Sequence, residues 1–270
     1  DDADEIDYFI GKMMLAERYI TAFNLIKYRM EKVSWQNLLK LLNGFRSTTE
    51  KDVSIPDGWH LTEAIEYLES SGQVPRLDLA LLEFFFFSAF RSCEKGAKNL
   101  YAELLSNPSL FMQLICLAYK PESDKEYKQD ESLMAAAQQA GRVLDQGKGI
   151  PGQKSDHSID EYVFSNWIEE VRKLATENDR SNTTDYIIGE WLSRSKHLND
   201  APWASITIKD LLEETERDEI RQGFYFGTIN SRGTTVRAYD EGGDKERKLV
   251  DQYKEIANQL YFTHPKLASV

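Results

Sequence analysis

The chain has 270 residues, of which 41% are hydrophobic and 29% are charged, and its formal net charge is -12. This length suffices for one large or two smaller globular units, and the apolar content excludes an intrinsically disordered polymer. The acidic surplus disfavours binding to nucleic acid and to anionic membrane surfaces, because both depend on an excess of Lys and Arg.

The cysteines and the apolar segments indicate a protein of a reducing compartment without a membrane partner. Cys93 and Cys116 both lie inside apolar periodic segments. A secreted disulfide framework needs more cysteines, so we expect free thiols and a cytoplasmic location. The most apolar stretch, residues 77–90, contains two acidic residues. It is also shorter than the ~20 residues that a membrane-spanning helix requires.

Apolar residues recur at helical spacing along nearly the whole chain, and no segment alternates in the way a half-buried strand does. Residues 4–30 carry one broad apolar stripe, and a second helix is predicted to follow Ser34, whose side chain can cap it. A further helix is expected over residues 61–70. Residues 77–90 include four consecutive Phe and are apolar nearly all round, which favours an interior helix over a buried strand that has no partner strand.

Two more helices are predicted in the middle of the chain. Residues 97–106 have helical periodicity, and Asn107 followed by Pro108 is typical of a helix start, with Asn as the cap and Pro in the first turn. Residues 120–130 are polar and charged, which predicts a loop, and residues 131–145 read as the next helix.

The richest Gly/Pro stretch, residues 147–157, is where we expect a domain boundary. The sequence thus divides into an N-terminal helical subunit (1–120), a helix with flexible loops (121–157), and a C-terminal helical subunit with an Arg/Gly-rich loop (158–270). The chain opens with DDADEID and stops within what reads as a new helix, which suggests a region excised from a larger protein.

Two pairs of residues in the last part have the spacing of a capping box. Ser158 with Glu161, and Thr207 with Asp210, each predict that a helix begins at that point. The last clear helix should start at Asp244. The pattern amounts to about ten helices, and it predicts an all-α fold: an irregular, solenoid-like stack of antiparallel helix pairs without a substantial sheet.

The most unusual segment, residues 223–247, combines glycines and arginines just ahead of a predicted helix. Glycine permits positive φ, and a helix N-terminus beside arginines can hold a phosphate or a carboxylate. Its candidate contact residues, which we call the Arg/Gly-rich loop, are Asn230, Arg232, Gly233, Arg237, Gly242, Gly243 and Arg247. The alternative is an ordinary inter-helix loop whose arginines pair with acidic neighbours, since neither known phosphate-binding glycine spacing is present.

No catalytic apparatus is apparent from the sequence. The four histidines, His60, His157, His197 and His264, are scattered, and none has another His or Cys at helical spacing. A metal site or a nucleophile–base pair would need them to converge. The acidic cluster at residues 213–219 is typical of a solvated helix face. We therefore expect neither an enzyme nor a cofactor.

Four segments carry a resemblance to a known group of proteins: AERYITAFNLI, WHLTEAIEYLESSGQVPRLDLALLEFFFF, NPSLFMQLICLAYKP and GFYFGTINSRGTTVRAYDEGGDKERKLVDQYKEIANQL. In this collinear order they resemble the helical-repeat region of very large bacterial multidomain proteins, some of which look like phage-defence proteins. The resemblance implies a helical scaffold and supplies no catalytic residues. Lys245 and Thr234-Thr235 depart from it within the last segment.

These features favour a non-catalytic scaffold or sensing module of a larger bacterial protein. It would contact a protein partner or other domains of the same chain. The alternative is a ligand-responsive domain in which Arg232, Arg237 and Arg247 clamp an anionic small molecule or phosphate. A third hypothesis, nucleic-acid binding by a local basic patch, is disfavoured by the net charge.

Overall fold

The structure is a computed structural model that describes residues 2–46, 56–92, 96–195, 205–214, 216, 218–231 and 243–269. Over these residues the all-α prediction is confirmed. Fourteen α-helices and three short 3₁₀ helices are present, and no β-strand is formed. The β-type pairing found there is an isolated antiparallel bridge between Gln153 and Ile159. None of the helices in these ranges has the length and apolarity to cross a bilayer.

The chain forms two compact units, Asp1–Leu104 and Leu105–Val270. The helices of the first unit are α1 (Asp2–Leu15), α2 (Tyr19–Ile26), α3 (Trp35–Gly44), α4 (Gly58–Ser70), α5 (Arg76–Phe85) and α6 (Lys98–Ser106), which ends just past the boundary. Short 3₁₀ helices lie at Met30–Lys32 and Phe87–Ser92.

The helices of the second unit are α7 (Pro108–Ala118), α8 (Met134–Gln146), α9 (Glu161–Glu177), α10 (Ser181–Ser195), α11 (Ile206–Glu214), α12 (Asp218–Asn230), α13 (Asp244–Leu260) and α14 (Pro265–Ala268). A 3₁₀ helix at Glu131–Leu133 precedes α8. This division differs from the predicted boundaries at residues 120 and 157. The reason is that α7 packs on α8 and α9 within the second unit.

The first apolar stripe, residues 4–30, is broken into two α-helices. The break lies at Glu17, which has a φ of +56°. The backbone N–H of Arg18 donates to the carbonyl of Met13 at 2.9 Å, which is the bond that closes a helix end around a left-handed residue. The second predicted start is confirmed, since the Ser34 side chain accepts from the backbone N–H of Asn37. Ser34 also bonds Asp7 of α1, which joins α1 to α3.

The Phe-rich segment forms a helix as far as Phe85 and then tightens into a 3₁₀ turn. Phe86 and Phe87 are buried at 0% and 3% exposure, whereas Phe84 and Phe85 are half-buried. The interior position was therefore predicted correctly for two of the four rings. Within the same helix the carboxylate of Glu83 is 2% exposed.

Glu83 joins α5 to the start of α6. Its carboxylate accepts from the backbone N–H of Leu100 at 2.6 Å and from the Asn99 side-chain amide at 2.9 Å. Burial raises the pKa of Glu83 to about 7, although both hydrogen bonds and the charge of Lys98 act in the opposite direction. Desolvation prevails because a buried carboxylate loses more hydration than two donors replace.

The core of the second unit is built around Phe111 of α7. This ring is fully buried and meets Trp167 of α9 and Trp191 of α10 edge-on, at 5.0 and 5.1 Å between centroids. The indole of Trp191 donates to the carbonyl of Leu144 in α8 at 2.7 Å. The predicted cap of α7 is confirmed, because Asn107 accepts from the N–H of Leu110.

Both predicted capping boxes in the second unit are wrong. Asp160 caps α9 by accepting from the N–H of Val163, while the Ser158 hydroxyl donates to Asp156 instead. Ser205 precedes α11 and accepts from the N–H of Ile208, so Thr207 lies inside that helix. In each case the residue directly before the helix accepts from an orphan N–H of the first turn.

Helices α10 and α12 pack more extensively than any other pair among the described residues. Their contact is made by glycines. A Cβ added to Gly189 would lie 2.1 Å from the carbonyl oxygen of Ile220, and one added to Gly223 would lie 2.0 Å from that of Tyr186. One added to Gly227 would lie 3.0 Å from the Cα of Glu190. The two backbones therefore touch, as helices do where small residues are spaced four apart.

Because backbone atoms cannot move aside as side chains can, we expect Gly223→Ala to lower the free energy of unfolding by about 3 kcal/mol or more. The matched control is Gly141→Ala in α8, where an added Cβ meets nothing within 4 Å. The control should stabilise by up to about 1 kcal/mol, because Ala favours helix more than Gly does. Urea unfolding measures both, and equal midpoints for the two variants would contradict the backbone contact.

A second prediction concerns Glu83. A carboxyl group whose pKa is higher in the folded than in the unfolded protein stabilises the fold at pH values below its unfolded-state pKa. This stabilisation is lost as the pH rises through the folded-state pKa. With a rise from 4.5 to about 7, the stability of the wild type relative to Glu83→Gln should fall by about 3 kcal/mol between pH 4.5 and 8. Urea unfolding at both pH values measures this difference. A difference that stays constant, or that grows with pH, would refute the assignment.

Candidate functional site

The structure describes three of the seven residues of the Arg/Gly-rich loop. Asn230 is the last residue of α12 and is exposed, and Arg247 lies exposed in the first turn of α13. Gly243 precedes α13 with a φ of +82°, which confirms the predicted helix start and the need for glycine there. Arg232, Gly233, Arg237 and Gly242 lie outside the described residues, so the three-arginine clamp stays a prediction.

The two helices that this loop connects form the walls of an apolar groove, with α14 at its closed end. The groove has a volume of about 400 Å³. Its lining residues are Phe224, Tyr225 and Thr228 of α12, Leu249, Val250, Tyr253, Lys254, Ile256, Ala257 and Leu260 of α13, and Leu267, Ala268 and Ser269 at α14. Among the described residues that line the groove, Lys254 is the charged one.

The apolar wall of α13 follows from its sequence. Leu249, Tyr253, Ile256 and Leu260 are spaced four, three and four residues apart, which places them on one helix face. Leu260 at the closed end is only 6% exposed. Val250, at the edge of the same face, is 49% exposed. The face is therefore covered near the C-terminus of α13 and open towards its N-terminus.

The opposite wall, α12, is fixed by its glycine contact with α10. The buried face of α12 carries Gly223 and Phe224, and Phe224 is 2% exposed. Tyr225 and Phe226 on the next positions are 40% and 45% exposed. Their rings pack against each other at 5.3 Å. The wall thus offers aromatic surface to solvent while its backbone is held by a direct helix contact.

The closed end is held by α11. The carboxylate of Glu213 accepts from the backbone N–H groups of Lys266 and Leu267, at 3.2 and 3.1 Å, and so caps the short α14. His264 is buried, and its Nε2 lies 3.0 Å from a carboxylate oxygen of Asp210. Leu267 is 3% exposed. These bonds set the position of α14 against the end of α13.

A second cleft of about 350 Å³ lies between α9 and α11 and is polar. Glu161, Glu169, Arg172 and Asp210 lie along it. The guanidinium of Arg172 donates at 2.8 Å to Asp185, which is fully buried, and Asp210 is already paired with His264. Arg172 and Asp210 therefore stabilise the packing of the helices around them.

A half-buried ionic cluster links α8 to α10. Burial raises the pKa of Glu190, which Arg194 opposes from 3.4 Å away. The Arg194 guanidinium also donates to the carbonyl of Gly147 at 3.1 Å. The Arg194 guanidinium thus donates to backbone carbonyls at the end of α8. Its role is therefore structural, because these bonds hold that end of α8 against α10.

Some of the cysteines and histidines named above lie within the described residues. Cys116 is a half-buried free thiol whose pKa is raised by burial, while Cys93 and His197 lie outside the described residues. His60 Nδ1 lies 2.6 Å from Asp57 at the start of α4. Across the part of the chain that the structure describes, no group of three His, Cys, Asp or Glu side chains is arranged to hold a metal ion.

Sequence reasoning missed the groove and the glycines behind it. Gly223 and Gly227 were considered as part of the Arg/Gly-rich segment and not as a packing surface, although they are four residues apart within a helical pattern. That spacing is the known signal for close helix packing and could have found the α10–α12 contact. The alternating four and three spacing in α13 was also visible as an amphipathic face.

No protein-family model, curated protein or solved structure matches this chain. Among the described residues, the groove between α12, α13 and α14 is a concave apolar surface that is open to a partner.

Proposed function

We propose that this chain is a non-catalytic helical scaffold or sensing module of a larger bacterial multidomain protein. Its contact surface would be the groove between α12, α13 and α14, taking up a protein partner or another domain of the same polypeptide. The observation that carries this proposal is the open apolar face of α13, where Val250 is 49% exposed beside Tyr225 at 40%. Concave apolar surface of this kind is typical of protein contact sites.

The surroundings of the groove support contact rather than catalysis. Its lining is apolar apart from Lys254 and a few hydroxyl groups. The buried charges of the second unit, such as Asp185 and Arg172, are engaged with each other. Aromatic side chains such as Tyr225 and Tyr253 along the groove are of the type that anchors protein interfaces. A link to phage defence belongs to the same proposal and rests on the sequence resemblance.

One observation favours the alternative of an anionic ligand. Gly243 adopts the left-handed conformation directly before α13, and Arg247 follows one turn later. Backbone N–H groups at such a helix start can hold an anion. Inorganic phosphate that raises the melting temperature of the wild type, but not that of Arg247→Ala, would favour this alternative.

The main proposal is tested by photo-crosslinking within the cells that express the protein. A benzophenone amino acid at position 250 should capture one partner or one domain of the same chain. The same probe at position 251 should not, because Asp251 lies on the opposite, exposed face of α13.

The captured protein is then purified and its dissociation constant measured. Val250→Glu should weaken binding by about tenfold or more, because it places a charge in an apolar contact. Asp251→Lys is the matched control and should change binding less than threefold. Circular dichroism should show both variants folded, since both positions are exposed. Equal crosslinking at the two positions, or an unchanged affinity for Val250→Glu, would reject the groove as the contact surface.

A further inference from the structure

One stripe of α13 runs along the open edge of the groove. It consists of Glu246, Val250 and Lys254, which we call the edge stripe, and its members are spaced four residues apart on one side of the helix. Val250 and Lys254 line the groove and are exposed, and Glu246 is half-buried. The edge stripe therefore presents an apolar residue with a negative charge one turn before it and a positive charge one turn after it.

Both charges of the edge stripe have neighbours within their own chain. Glu246 already interacts there, but a carboxylate has about four acceptor sites, so it can also accept from a further ammonium. Asp251 lies three residues before Lys254 and four residues after Arg247. Such neighbours interact only weakly on an exposed helix surface. The edge stripe can therefore contribute both charges to a contact that supplies the opposite charge at each end.

The edge stripe is complementary to its own reverse. In an antiparallel pair of α13 helices centred on Val250, the Glu246 of each copy lies beside the Lys254 of the other. Gly243 and Ala257 are each seven residues from Val250, so they also lie opposite each other, and their small size permits close approach. A parallel pair would place like charges together at both ends. The pattern thus has the self-complementarity that a two-fold symmetric contact requires.

The surface around the groove is less acidic than the chain as a whole. A net charge of -12 makes two copies repel each other in general. Residues 222–231, which include most of the α12 wall, contain no charged side chain, and α13 has four acidic and four basic residues. Two copies therefore meet with little electrostatic repulsion when they meet at this surface.

From these features, and resting on the proposed function, we infer that the protein partner at the groove is a second copy of this chain. Its α13 lies antiparallel along the groove edge, with the two Val250 side chains in contact on a two-fold axis. Tyr225 lines the same groove and is 40% exposed, so it adds aromatic surface to the contact. A contact made mainly by two single helices is small, and the dimer is therefore weak and concentration-dependent.

The test is sedimentation equilibrium of the full chain and its charge variants. The wild type should show a monomer–dimer equilibrium between about 5 and 500 µM, as a small interface predicts. Glu246→Lys and Lys254→Glu should each weaken dimerisation by about tenfold or more, because each places like charges together at both ends of the contact. The variant with both changes should dimerise within about threefold of the wild type, since opposite charges face each other again.

A mixture of the two single variants provides a further test. Glu246→Lys and Lys254→Glu should form a mixed dimer that is tighter than the dimer of either variant alone, because both ends of the contact then pair opposite charges. Glu255→Lys, a matched charge reversal at an exposed position outside the edge stripe, should leave dimerisation unchanged. Circular dichroism checks that each variant is folded. A double variant as weak as the single ones would contradict the antiparallel contact.

Three other results separate the inference from the proposed function. If the wild type stays monomeric and the probe at position 250 captures a different protein, the second copy is the wrong partner and the groove remains the contact surface. If a dimer forms that neither Val250→Glu nor the single charge variants weaken, another surface forms it, and the inference is wrong. If the chain stays monomeric and the probe captures nothing, the inference and the proposed function both fail.

Discussion

The direct contact between the backbones of α10 and α12 is the constraint on which the second unit depends. Gly189 and Gly223 remove the side chains that would otherwise hold the two helices a full layer apart. At this distance one face of α12 is buried against α10, and the remaining surface of α12 can form a wall of the groove. A single methyl group at the contact would displace that wall, because neither backbone can yield by changing a rotamer.

Charged side chains also fix helix positions in the second unit. Asp185 holds Arg172, and Glu213 caps α14 through two backbone N–H groups. The acidic cluster at residues 213–219 was expected to be a solvated face. Glu216 is exposed, but Glu213 is a structural cap and Asp218 pairs with Arg221. Glu213 thus positions α14 at the end of the groove, and the lining of the groove is apolar apart from Lys254 and a few hydroxyl groups.

The sequence predicted what depends on near neighbours. The all-α class, the caps at Ser34 and Asn107, and the helix start after Gly243 all follow from residue types within one turn. The break at Glu17 and the cap at Asp160 were missed, because several adjacent residues could satisfy the same N–H or carbonyl groups. The groove could not be predicted, since it depends on how closely α12 approaches α10 and on where Glu213 holds α14, and both are contacts between distant segments.

The two functional hypotheses drawn from the sequence use different parts of α13. An anion would be held at the helix start, where Gly243 has a positive φ, whereas a protein contact would cover the apolar face from Leu249 to Leu260. Val250 lies at the edge of that face and is exposed, so it belongs to the protein contact and not to the helix start. For this reason a charge at position 250 would oppose a protein contact and leave the backbone N–H groups at the helix start unchanged.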